Sequence, residues 1–259
     1  MQRRRERDEN VKYRHEYKYY CTAREAAELL ARARGLMRPD PHAGADGSYR
    51  VRSLYFDTLE DACYFETEDG VDVRDKYRIR IYNGNAERIS LEKKSKKSGM
   101  TLKSACRIDE ALCRRMMAGQ GMFLTDAQME GNFLKEASAK EGIEENRRRK
   151  ELLRSMRERC MRPAVIVEYL RYPFVEPNGN VRVTFDLQIT SSGDFNAFLD
   201  RRIGGRPILP NGGGILEVKW DALVPEYLKQ GLQMNSLQRI SFSKYCLCRK
   251  YNVYGGIRL

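Results

Sequence analysis

Polar and apolar residues alternate along much of this chain, and the alternation predicts strands. From Asp75 to Gly84 the sequence reads DKYRIRIYNG, which puts Tyr77, Ile79 and Ile81 on one face and Lys76, Arg78 and Arg80 on the other. The stretch 11–20 repeats the arrangement, with Arg14, Glu16 and Lys18 opposite Tyr13, His15, Tyr17 and Tyr19. Further strands are predicted at 49–58, 87–94, 101–108, 163–174, 181–189 and 214–220. In 181–189, Arg182, Thr184 and Asp186 oppose Val181, Val183 and Phe185. In 214–220, Glu217 and Lys219 oppose Leu216, Val218 and Trp220.

Helical signals fall between these runs. Thr22 and Glu25 form a capping box that opens a helix ending near Gly35. Short helices are expected from Thr58 and from Pro225, and a closing helix over 240–251. Residues 109–160 lack β-rich runs and are dense in Met, Glu, Lys and Arg, so they read as a helical insertion in a single domain spanning 1–259. Loops are marked at 38–47 and 201–214, and turns at Asn83-Gly84-Asn85, KKSGM and EPNGN. About eight strands joined mostly as hairpins predict an α+β fold, a closed eight-stranded antiparallel β-barrel with surrounding helices.

Composition narrows the partners. The chain has 259 residues, 41% hydrophobic, enough for a core, and a formal net charge of +12. That charge points to polyanions: nucleic acid, phosphorylated small molecules, polyphosphate or an anionic membrane surface. Two histidines, His15 and His42, argue against catalysis built on several imidazoles. No apolar run approaches the roughly 20 residues of a membrane span, and MQRRRERDEN does not read as a secretory signal. Seven scattered cysteines without a CxxC pair are expected to be reduced thiols in a cytoplasmic protein. Gly212-Gly213-Gly214 is not a phosphate-binding P-loop, since no GK[ST] follows.

The polar faces are nearly pure charge, and carboxylates recur beside the cations: Glu16 and Lys18, Arg78 and Arg80, Glu92 and Lys94, Lys103, Arg182 and Asp186, Glu217 and Lys219. An ordinary one-sided sheet would leave such faces in water. Turned inward, they need pairing, hydration or a ligand, because unpaired charge is costly to bury. Excess cations with a few carboxylates suit a polyanion and a divalent metal. Arg gives phosphate a forked set of donors, and carboxylates hold Mg²⁺ or Mn²⁺.

The order RHEYKYY, SLYFDT, YRIRIYNG, LEKKSKKSGMTLKS, YLRYPF, VRVTFD, LEVKW and SFSKY resembles the polyphosphate polymerase domain of the vacuolar transporter chaperone (VTC) complex, a triphosphate tunnel metalloenzyme of the CYTH-like superfamily. The resemblance spans roughly residues 11–250 apart from 110–160. It implies a tunnel of eight strands in which the γ-phosphate of ATP passes to a growing inorganic polyphosphate chain. Carried over by motif, Lys18, Arg78, Arg80, Lys94, Lys103, Arg171 and Lys244 would bind phosphate, joined by Arg182, with Arg78, Arg80, Lys94, Arg171 and Lys244 catalytic. Lys219 is a further phosphate-binding candidate on the same polar face as Glu217. Glu217 would hold Mn²⁺ or Mg²⁺, with Glu92 as a second carboxylate. Strand alternation sets Arg171 with Tyr169, opposite Glu168, and leaves its tunnel position open. Arg14 stands where tunnel enzymes of the adenylate cyclase and thiamine triphosphatase branch open with a Glu, which favours the polymerase branch over a hydrolase. The resemblance also implies a cytoplasmic enzyme, at the inner face of a membrane when bound to a membrane-protein partner.

Two other readings compete. A metal-dependent triphosphatase or nucleotide phosphatase on the same fold would release free phosphate. A non-catalytic polyanion-binding module would bind without turnover. Nucleic acid is not expected as the partner, because the cations sit at strand spacing among carboxylates, whereas RNA platforms present aromatic rings for stacking.

Overall fold

The computed structural model describes residues 15–98, 100–120, 139–234 and 237–253. Arg14, Tyr13 and the rest of the chain before His15, and residues 121–138 of the expected insertion, lie outside the described residues. Among the described residues there are ten strands: β1 (His15–Cys21), β2 (Arg38–Pro39), β3 (Tyr49–Asp57), β4 (Arg74–Tyr82), β5 (Asn85–Lys97), β6 (Met100–Ile108), β7 (Arg162–Glu176), β8 (Val181–Ser192), β9 (Arg206–Pro207) and β10 (Gly214–Trp220). The helices are α1 (Ala23–Leu36), α2 (Ala62–Glu68), α3 (Glu110–Met117), α4 (Ala139–Glu158), α5 (Glu226–Gly231) and α6 (Lys244–Val253).

The strands form one antiparallel sheet in the order β1-β10-β8-β7-β3-β4-β5-β6, with β2 added on β7 and β9 on β8. The expected closed barrel does not form: the sheet is open. The occupied edge of β1 explains this. Tyr19 bridges Arg239, and Ile240 N donates to Lys18 O at 2.9 Å, so the segment before α6 takes edge groups that a closing strand would need.

The described chain divides into two compact units, each assembled from three stretches of sequence. The first draws on residues up to Arg50, on Tyr169–Ile189 and on Leu209–Phe242. Its core gathers Tyr19, Phe174, Val183, Phe185, Leu216 and Val218 from the strands. Ala26, Leu29 and Ala33 come from one face of α1, and Leu228 from α5. The capping box that begins α1 is present: Thr22 N donates to Glu25 Oε2 at 2.8 Å and Glu25 N to Thr22 Oγ1 at 3.3 Å.

The second unit draws on Val51–Glu168, Thr190–Ile208 and the chain from Ser243 onward. Here β4, β5 and β6 form a meander, with α4 packed on β5 and β6. The alternation in β4 is realised in full: Tyr77, Ile79 and Ile81 are each 0% exposed. Tyr77 also bonds its hydroxyl to Ser155 of α4 at 2.6 Å. With that face sealed, the pleat sends Lys76, Arg78 and Arg80 to the opposite face. The helical content expected within 109–160 appears as α3 and α4.

Candidate functional site

Each unit carries a charged face, and register sets its composition. In the second unit Tyr55 stands opposite Arg78, and Arg78 opposite Glu92. One pleat along, Ser53 faces Arg80 and Arg80 faces Ser90. One pleat the other way, Lys76, Lys94 and Lys103 form a cross-strand row. Residues four positions apart in one strand thus become parts of a two-dimensional grid of cations.

Glu92 organises that grid. Arg78 approaches its Oε2 through Nε at 2.7 Å and Nη2 at 2.6 Å, while Lys103 Nζ lies 2.7 Å from Oε1. Burial alone would raise the Glu92 carboxyl, but Arg78, Arg80 and Lys103 bring it down to about 2. Arg80 Nε donates to Ser53 Oγ at 3.0 Å, and Arg78 Nη1 donates to Tyr55 Oη at 3.1 Å. Lys76 Nζ donates to Ser243 Oγ at 2.9 Å, next to Lys244, the first residue of α6. Glu92 therefore ties together Arg78 and Lys103 on a face that also bears Arg80, with Lys76 and Lys94 alongside.

In the first unit Lys18 stands opposite Glu217, Glu217 opposite Thr184, and Lys219 opposite Arg182. Lys219 Nζ lies between Glu16 at 3.3 Å and Glu217 at 3.2 Å. Lys18 Nζ donates to the Phe242 carbonyl at 2.9 Å. The open question over Arg171 is answered by its contacts. Its Nε and Nη2 donate to the two oxygens of Asp186 at 2.7 and 2.8 Å, and Nη2 lies 3.8 Å from Glu217, so Arg171 belongs to the charged face. Arg182 turns to Asp40 at 3.0 Å. Burial would raise the Asp40 carboxyl, yet hydrogen bonds from His42 and the charge of Arg182 hold it below its ordinary value.

The two carboxylates nominated for a metal differ in their surroundings. Thr184 is 2% exposed, and its Oγ1, opposite Glu217, has no hydrogen-bond partner among the described residues. A buried carboxylate beside an orphaned hydroxyl is a pair of hard oxygen donors, which suits Mg²⁺ or Mn²⁺. Glu92 already receives cations on both oxygens. Among the described residues no group of three or more His, Cys, Asp or Glu side chains forms a metal cluster.

Sequence reasoning passed over several members of these faces. Ser53, Tyr55 and Asp57 share one face of β3, but that face mixes residue types and so lacked the charge signature. Asp186 was visible as a charge, yet its hold on Arg171 depends on the pairing of neighbouring strands. Arg52 and Glu168 form a buried pair at 2.5 Å that the charge pattern did not flag. The aromatic residues of β1 pack: Tyr17 meets Trp220 edge-on at 4.7 Å, and Tyr19 is in the core. All seven cysteines are free thiols. No helix among the described residues is long and apolar enough to cross a membrane.

Against this geometry, the sequence profile of the VTC domain matches residues 13–252. No curated protein matches the chain. Solved structures with a similar course of chain include a Bacillus halodurans protein whose assignment as an adenylate cyclase is provisional, 12% identical over 88% of this chain and 92% of that one, with a TM-score of 0.46. The PH1819 protein of Pyrococcus horikoshii is 12% identical over 91% of this chain and 97% of that one, with a TM-score of 0.44. A conserved hypothetical protein of Pyrococcus furiosus is 10% identical over 86% and 88%, with a TM-score of 0.36.

Proposed function

Since this chain belongs to the VTC domain family, we propose that it is a polyphosphate polymerase that moves the γ-phosphate of ATP onto a growing inorganic polyphosphate chain. The observation that carries the reading is the grid on β4–β6, where Arg78, Arg80 and Lys103 surround one buried carboxylate, Glu92. A face so rich in cations suits a ligand with several closely spaced negative charges, and a triphosphate has them.

The chemistry asks little covalent help of the protein. The bond between the γ-phosphorus and its bridging oxygen breaks, ADP leaves, and a new P–O–P bond forms with the terminal phosphate of the chain. That nucleophile is already an anion, so no general base is required, in keeping with charged faces built without histidine. The work left to the side chains is in-line positioning and offsetting repulsion between two anions. Arg78 and Arg80 offer forked donors for phosphate oxygens, and Glu92 keeps Arg78 and Lys103 in place. Lys94 and Lys244 extend the phosphate-binding set of this face, and in the first unit Lys18, Arg171, Arg182 and Lys219 form a phosphate-binding set of their own in this reading. Mn²⁺ or Mg²⁺ at Glu217, with Thr184 as neighbouring donor, would supply further neutralisation of phosphate charge.

The test is incubation of the purified chain with γ-labelled ATP, Mn²⁺ and a short polyphosphate primer, resolved on a gel. A ladder of longer chains is expected, and Arg80→Ala should lose it by a factor of about 100 or more. Free phosphate without chain growth would transfer the reading to a triphosphatase. Bound but unreacted ATP would leave a polyanion-binding module.

A further inference from the structure

We propose that Tyr55 is a direct phosphate ligand of the charged face on β3–β6, donating its phenolic hydrogen to a phosphate oxygen; this rests on the reading of that face as a phosphate site. Tyr55 lies on β3 in register with Arg78, on the same face as Ser53. Its hydroxyl oxygen accepts from Arg78 Nη1 at 3.1 Å, and the Arg78 guanidinium carbon sits 5.8 Å from its ring centroid. The oxygen is thus committed to an Arg donor. The hydroxyl hydrogen has no acceptor among the described residues.

The environment explains why none is at hand. The charges that act most strongly on the phenol are those of Arg78, Arg80 and Lys76, all cations. Burial pushes the phenol up, but those three cations outweigh it and bring the pKa below its ordinary value. This buried O–H donor has no acceptor among the described residues, and a phosphate oxygen brought in by Arg78 and Arg80 supplies one. A hydrogen bond from a neutral donor to a charged acceptor is among the stronger kinds.

The ring is held for this task from behind. Tyr55 stacks on Tyr245 of α6, with centroids 5.1 Å apart and planes at 29°. Tyr245 in turn donates its hydroxyl to Asp57, whose carboxylate also accepts from Cys63 N at 2.8 Å and Tyr64 N at 3.0 Å at the start of α2. Tyr55 is 7% exposed, so its hydroxyl can be positioned without freedom to swing into water.

The test is calorimetric titration of the full chain with tripolyphosphate, without metal, comparing wild type with Tyr55→Phe, which keeps the ring and its stacking. The dissociation constant is expected to rise about tenfold in Tyr55→Phe, with an unchanged circular dichroism spectrum. A parallel measurement follows the Cζ resonances of ¹³C-labelled tyrosine in the wild-type chain, one of which should shift when tripolyphosphate is added. Equal affinity of both chains with no such shift overturns the role of Tyr55 and leaves the phosphate face standing. Absence of tripolyphosphate binding by the wild-type chain overturns the reading of the face, and this inference with it.

Discussion

Glu92 accepts from Arg78 on one oxygen and from Lys103 on the other, so a single carboxylate sets the aim of two cations on neighbouring strands. Its folded pKa of about 2 lies below the ordinary value of 4.5. A depressed carboxyl contributes stability that is fully present above pH 5 or so and is lost as pH falls toward 2. The size of that contribution is no more than about 3 kcal/mol. Lys103 is about half exposed, so the real figure is smaller. Glu92→Gln should therefore lower stability by about 2 kcal/mol at pH 7 and flatten the loss of stability between pH 5 and pH 2. Urea unfolding at a series of pH values reads both. A parallel pH dependence in wild type and Glu92→Gln would mean that other carboxylates govern acid lability.

Among the elements, the β4–β5 hairpin was the most legible. Alternation marked both strands, and Asn83-Gly84 marked the turn. The structure gives both residues positive φ, 54° and 63°, as a two-residue turn with the twist of its strands requires. Gly84 is constrained further, because a Cβ there would lie 2.7 Å from the Arg201 carbonyl oxygen. Gly84→Ala should cost about 2 kcal/mol, through the backbone angle and the clash together. Asn83→Ala, which adds no Cβ and so no clash, should cost about 1 kcal/mol. The shift in urea midpoint separates the two, and equal shifts would remove the clash from the account. The capping box of α1 was legible for a similar local reason, since its partners are three residues apart. The start of α2 was not. Its free N–H groups at Cys63 and Tyr64 are met by Asp57, upstream of the usual cap position, after an intervening turn. The beginning of α6 was placed too early. Ile240 donates its N–H to the edge of β1, and the helix begins at Lys244.

At the scale of the whole molecule, closure of the sheet was the least legible feature. The eight longer strands follow from local periodicity, whereas the two-residue β2 and β9 lie in the predicted loops 38–47 and 201–214 and are too short to show a period; closure depends on what occupies the edge of β1, and the Arg239–Ile240 segment carries no periodic signal. Charge was legible at once: +12 overall, with the cations at strand spacing. It yields a prediction that needs no turnover. A ligand present at 100 times its dissociation constant stabilises the folded state by about 2.7 kcal/mol, which is roughly 5–10 °C in Tm for a chain of this size. Tripolyphosphate should raise the Tm by that amount, and sulfate at equal ionic strength by much less. The same cations also make the effect salt-sensitive, so 0.5 M NaCl should reduce it. Single-stranded DNA separates a phosphate-spaced grid from a general basic surface. Its charges lie on a sugar-phosphate backbone rather than on adjacent phosphates, so the grid on β4–β6 should prefer tripolyphosphate at matched charge. A general basic surface would not discriminate, and equal stabilisation by DNA would turn the charged faces from a polyphosphate site into a nucleic-acid surface.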